Sequence, residues 1–90
     1  MKTVEGFKLR PLGREFIMTR EGSHLVDFNK MIALNSTAAF LWRNVDGRDS
    51  FTVDDLASLL VGEYGIDMEL ALKDSAAIAA KWEEAGIIDV

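Results

Sequence analysis

The residues of this chain that could do chemistry are few. His24 is the only histidine, and Ser23 precedes it. A Ser–His–Asp site would have to use that histidine. Such a triad demands three converging side chains, and a histidine on a strand is more simply a surface or rim residue. Asp54–Asp55 and Glu83–Glu84 are paired carboxylates. An acid–base pair needs two carboxyls facing one pocket with divided pKa values. Adjacent helical residues project about 100° apart, so both pairs read as solvated faces. Asp54–Asp55 also falls in a helix first turn, where negative charge is favourable.

The stretch "DGRDSFTVDD" (46–55) is acid-rich like a calcium loop. It lacks the sixth-position glycine and the spaced terminal glutamate, so a calcium site is rejected. There is no cysteine, which excludes disulfides, a thiol nucleophile and Cys-ligated metal centres. No phosphate-cradling glycine motif occurs. The expectation is no catalytic residue, no metal and no cofactor. The aromatic residues Phe40, Trp42, Phe51, Tyr64 and Trp82 suggest a ligand cavity, but Trp42, Tyr64 and Trp82 sit at helical spacing and read as core. No convergent polar partners support a small-molecule pocket.

Ninety residues, 49% of them hydrophobic, set the expectation of a single domain over 1–90. No run approaches the roughly 18–20 apolar residues of a membrane span. The N-terminus has no apolar signal core, so no membrane partner and a cytoplasmic location are expected. The net charge of −5 is uneven: residues 1–30 carry +2 and residues 31–90 carry −7. So acidic a half is a poor match for a phosphate backbone.

The elements that must position any site come in two parts. "FKLR" (7–10) and "EFIMT" (15–19) read as strands punctuated by Pro11 and Gly13, with "EGS" (21–23) as a further turn. "HLVDF" (24–28) and "MIAL" (31–34) read as a hairpin across Asn29–Lys30. Asn35 then caps a first helix. Its face is Leu34, Ala38, Leu41, Trp42 and Val45, with Leu34 and Ala39 as a weak staple, and Gly47 ends it. Thr52 opens a second helix, with Asp55 completing a weak capping box. Val53, Leu56, Ala57, Leu60 and Tyr64 form its stripe, and Gly65 stops it. Asp67 caps a third helix over about 68–85. Its core face is Ala71, Ile78, Trp82 and Ala85, with Ser75 on the same line. Leu72, Ala76 and Ala79 form a smaller stripe. Gly86 ends this helix, and "IIDV" adds a short terminal strand. The fold class is α+β and winged helix-turn-helix-like: N-terminal antiparallel strands followed by three helices, the last two joined by a short turn.

A helix-turn-helix raises DNA binding, the alternative reading being a winged-helix transcriptional regulator. The candidate recognition helix, 67–85, sums to −3 and offers Lys73 and Lys81 but no Arg, Asn or Gln. Readers of the major groove place such residues at base edges and phosphates, so nucleic acid is not the expected partner. A purely structural or chaperone-like subunit is the third reading.

"MIALNSTAAFLWRNVDG" resembles the strand–Leu–Asn–helix–Trp–Gly signature of the PqqD-like proteins, a family named after coenzyme PQQ synthesis protein D. "TVDDLASLLVGEYGID" and "ALKDSAAIAAKWEEAGIID" continue it. The matching positions are Leu34, Asn35, Ala39, Trp42, Gly47, Leu56, Leu60, Tyr64, Asp74, Ile78, Gly86 and Ile87. Ser36 stands where the family often has glutamate, Ala38 where glycine is common and Trp82 where leucine is usual; these touch capping and packing. The resemblance implies a recognition element for ribosomally made, post-translationally modified peptides. Such a protein is no enzyme. It holds the leader of a precursor peptide and presents it to a modifying enzyme, a radical-SAM protein or a leader peptidase. The leader adds as a strand to the last N-terminal strand, beside the third helix. The implied peptide-binding residues are Met31, Ile32, Ala33 and Leu34 of the strand and Leu72, Lys73, Ala76 and Ala79 of the helix. By strand alternation Ile32 and Leu34 share the inward face. The helix alanines are read equally well as room for leader side chains or as close packing.

Overall fold

The computed structural model describes residues 1–20 and 32–89. The expected strand over 24–28, its turn at Asn29–Lys30, the turn at 21–23, and the residues Ser23, His24 and Met31 lie outside them.

The chain begins with β1 (Lys2–Thr3), β2 (Phe7–Leu12) and β3 (Glu15–Arg20). β2 and β3 form an antiparallel hairpin in which Leu12 pairs with Glu15. Gly13 opens its two-residue turn at φ 63°, the glycine-first arrangement of a II′ turn, whose twist matches that of the strands. The strand runs on through Pro11, which the sequence placed at the turn. β2 ends its sheet, and a proline is tolerated there because its missing N–H need not leave a ladder bond unmade.

β4 (Ile32–Leu34) joins the other side of β3, antiparallel, with Phe16 opposite Leu34 and Met18 opposite Ile32. The sequence expected 31–34 to pair with 24–28; among the described residues the neighbour is β3.

Three helices follow: α1 (Ser36–Val45), α2 (Val53–Tyr64) and α3 (Met68–Ala85). Each begins at its expected residue because the caps are local. Asn35 accepts the Ala38 N–H through Oδ1 at 2.8 Å. Thr52 Oγ1 accepts the Asp55 N–H at 3.1 Å, and Asp55 Oδ2 accepts the Thr52 N–H at 2.9 Å, a reciprocal capping box. Asp67 occupies the third N-cap but makes no side-chain cap bond. Gly65 closes α2 at φ 65° and donates its N–H to Val61 O, a left-handed turn that glycine takes without Cβ strain.

The expected terminal strand is β5 (Ile88–Asp89), and it pairs antiparallel with β1, so that Thr3 faces Ile88. Phe51, just before α2, is tied to Met1 by two bonds: its N–H donates to Met1 O at 2.7 Å and its carbonyl accepts from the Met1 amino group at 2.8 Å.

The core gathers Met18 and Leu34 from the sheet, Leu41, Trp42 and Val45 from α1, Leu56 and Leu60 from α2, Ala71, Ala79 and Trp82 from α3, and Ile87 and Ile88. A leucine buried as fully as Leu41, Leu56 or Leu60 contributes about 1.5–3 kcal/mol by leaving water. Ala71, Ser75 and Ala79 fall on one buried line of α3. Small side chains at a helix contact let the axes approach closely. Ala79 therefore belongs to the core face rather than to the smaller stripe, while Ala85 is exposed and Ile78 half-buried. Tyr64, expected in the core, is 46% exposed. It sits in the last turn of α2, where its ring meets the Phe40 ring edge-on at 5.8 Å.

Candidate functional site

β4 is three residues long and pairs with β3 along one edge. Among the described residues no strand pairs with its other edge. In an antiparallel strand alternate residues direct both backbone polar groups to a given side, so the outer edge of β4 presents a donor–acceptor set with no strand partner among the described residues.

A groove opens between β4 and α3. One wall is Ile32, Ala33 and Leu34 of β4 with Asn35 and Ala38 at the start of α1; the other is Ile78, Lys81 and Trp82 of α3. It offers a volume of about 170 Å³ and is open to solvent. The strand side follows the pleat: Leu34 is buried, Ile32 half-buried and Ala33 exposed. On the helix side, positions i, i+3 and i+4 project to one face. Asn35 is held by its capping bond to Ala38. Trp82 is held by edge-to-face contacts with Trp42 at 5.4 Å and with Phe51 at 6.5 Å. The wall is therefore preformed, and mostly apolar.

Of the expected binding residues, Ile32, Ala33 and Leu34 line this groove and Met31 lies outside the described residues. Leu72, Lys73, Ala76 and Ala79 do not line it. Leu72 is half-buried against the core, Lys73 and Ala76 are exposed, and Ala79 is buried. Asn35, Ala38, Ile78, Lys81 and Trp82 line it without having been picked from the sequence as site residues. The signal for the helix side was the i, i+3, i+4 spacing of Ile78, Lys81 and Trp82.

Among the described residues the lining carries one amide, Asn35, and one cation, Lys81, with no carboxylate, hydroxyl or imidazole. Elsewhere, the Asp55 carboxylate is engaged in its capping box, and Glu83 and Glu84 are exposed. Among the described residues no group of three or more His, Asp or Glu side chains is placed to hold a metal ion. No helix of the described residues is long and apolar enough to cross a membrane. What the arrangement offers is a strand edge beside an apolar trough, the geometry that takes an extended segment by main-chain hydrogen bonds and side-chain pockets.

No curated protein matches this chain. Among solved structures, TbiB1 in complex with the TbiA(beta) leader peptide superposes with a TM-score of 0.71 at 10% identity, covering 99% of this chain and 95% of that one. The likeness establishes a shared fold, α+β with N-terminal antiparallel strands followed by three helices. The family model described as coenzyme PQQ synthesis protein D matches residues 8–88. With nearly the whole chain inside that match, from β2 to β5, this protein belongs to the PqqD family.

Proposed function

We propose that this chain is a non-enzymatic, cytoplasmic peptide-binding protein that holds the leader of a ribosomally made precursor peptide and presents it to a modifying enzyme, a radical-SAM maturase or a leader peptidase. The observation that carries this reading is the edge of β4 that no strand among the described residues pairs with, beside the groove against α3. Strand addition there extends the β2–β3–β4 sheet by one strand, with leader residues alternating between the groove and the sheet's other face. Family membership supports the reading, and so does a similarly folded protein whose structure holds a leader peptide.

The contact residues proposed are Met31, Ile32, Ala33 and Leu34 on the strand, with Ile78, Lys81 and Trp82 opposite. Lys73 and Ala76, one to two turns nearer the α3 N-terminus, are reached by a leader that continues along the helix, and Leu72 and Ala79 support that surface from beneath.

The test is an amide-shift titration of the isotopically labelled chain with synthetic leaders of precursor peptides encoded beside its gene. Shifts concentrated in 32–34 and in 78–82 are expected. Shifts confined to the 46–52 loop or to the β1–β5 pair overturn the site.

A further inference from the structure

We infer that Lys81 selects the bound peptide, so that the groove takes an extended segment carrying one carboxylate two residues from a large apolar side chain. This rests on the strand-addition reading above. Among the described residues that line the groove Lys81 is the single charged one, and it is exposed, so its ammonium is open to a partner. Ile78, three residues before it and half-buried, lies on the same helix face and offers the apolar contact.

The spacing follows from two element geometries. On an added strand, residues i and i+2 face the same side about 6.6–6.8 Å apart. Along α3 the rise from Ile78 to Lys81 is about 4.5 Å, and the flexible lysine stem spans the remainder. An apolar residue seated against Ile78 therefore places the side chain two positions along within reach of the Lys81 ammonium.

Competing charges do not cancel this. Asp74 lies on the same helix line seven residues away, about 10 Å along the axis, which is about a Debye length at physiological salt. Glu84 is three residues on, and an exposed pair on a helix surface is worth little. The chain's net charge of −5 disfavours a peptide that is acidic along its length. It leaves room for one acid placed at Lys81.

The probe is a random-peptide display library selected on the full-length wild-type chain and, in parallel, on Lys81→Glu and Lys81→Gln. Circular dichroism checks that both variants keep the fold. Among recovered peptides that shift the 32–34 amides, wild type is expected to enrich Asp or Glu two residues from a large apolar residue. Lys81→Glu is expected to enrich Lys or Arg at that place, and Lys81→Gln to show no charge preference. Replacing the enriched acid by lysine in a synthetic peptide should weaken wild-type binding about fivefold, with the ratio shrinking at high salt. Peptides that bind at β4 with no charge preference, or with the same acid enriched on Lys81→Glu, overturn the selection by Lys81 and leave strand addition standing. Recovered peptides that leave the 32–34 amides unmoved overturn strand addition, and the role of Lys81 with it.

Discussion

The indole rings of Trp42 and Trp82 meet edge to face, their centroids 5.4 Å apart and their planes at 88°. The contact joins the first helix to the third at the centre of the core, and both side chains are at least 98% buried. Aromatic pairs in this geometry add about 0.5–1.5 kcal/mol beyond area burial. Trp82 also forms part of the groove wall, so core packing and groove shape share a residue.

Trp42→Ala should therefore destabilise the fold by about 3–5 kcal/mol, the range for a large aromatic truncated in a core. That is a large share of the roughly 5–15 kcal/mol that holds a domain together. Urea unfolding followed by circular dichroism measures it; a midpoint near wild type contradicts the central role given to this pair.

Ser75 is fully buried and its hydroxyl has no hydrogen-bond partner among the described residues. An unmet buried hydroxyl costs about 1–3 kcal/mol, and alanine also has the higher helix propensity. Ser75→Ala should raise stability by about 1 kcal/mol, visible as a melting point higher by about 4–8 °C. A lower melting point would mean that the hydroxyl has a partner in solution.

The three N-caps should separate by chemistry rather than by position. Asn35 and Thr52 each accept a backbone N–H through the side chain, and Asn35→Ala or Thr52→Ala should cost about 1 kcal/mol. Asp67 makes no such bond, so Asp67→Ala should lose only the charge–dipole contribution, about 0.3–1 kcal/mol. Equal losses at all three positions in thermal denaturation count against this ordering.

Ile78→Glu puts a charge on the apolar wall of the groove and should weaken binding of a strand-adding peptide by tenfold or more, about 1.4 kcal/mol. Ala76→Glu, on the exposed part of α3 outside the groove, should change it less than twofold for a peptide short enough to end at Ile78. Fluorescence anisotropy with a labelled peptide measures both. A larger loss at Ala76 places the bound segment further toward the α3 N-terminus.

Duplex DNA should not be bound sequence-specifically at moderate salt, because the third helix with its cap sums to −3 and phosphate contacts require cations. A fluorescence titration that finds sub-micromolar, sequence-dependent binding restores the regulator reading.

By itself the sequence determined the three helices and most of their ends. Asn35, Thr52, Gly65 and Gly86 act on backbone groups within one turn, so their meaning is local, and α1 and α2 begin, and α2 and α3 end, where these residues stand; α1 closes at Asp46, and the N–H of Gly47, expected to end it, donates instead to Thr3 Oγ1. It determined the alternation of β4, since a period of two needs no partner to be read. Tertiary structure decided the rest. Ala79 joined the buried line and Ala76 did not, because the 3.6-residue period admits two adjacent stripes and the contact with α2 selects one. Tyr64 stayed exposed although its spacing fits the stripe; it stands in the last turn of α2, meeting Phe40. β4 took β3 as its neighbour, and Lys2–Thr3 found Ile88–Asp89 across the length of the chain. The groove arose from β4 lying beside the second half of α3, which put Ile78 and Lys81 opposite Ile32 and Leu34. Strand pairing and helix docking join residues distant in sequence, and it is the packing of the shared core that fixes which of them meet.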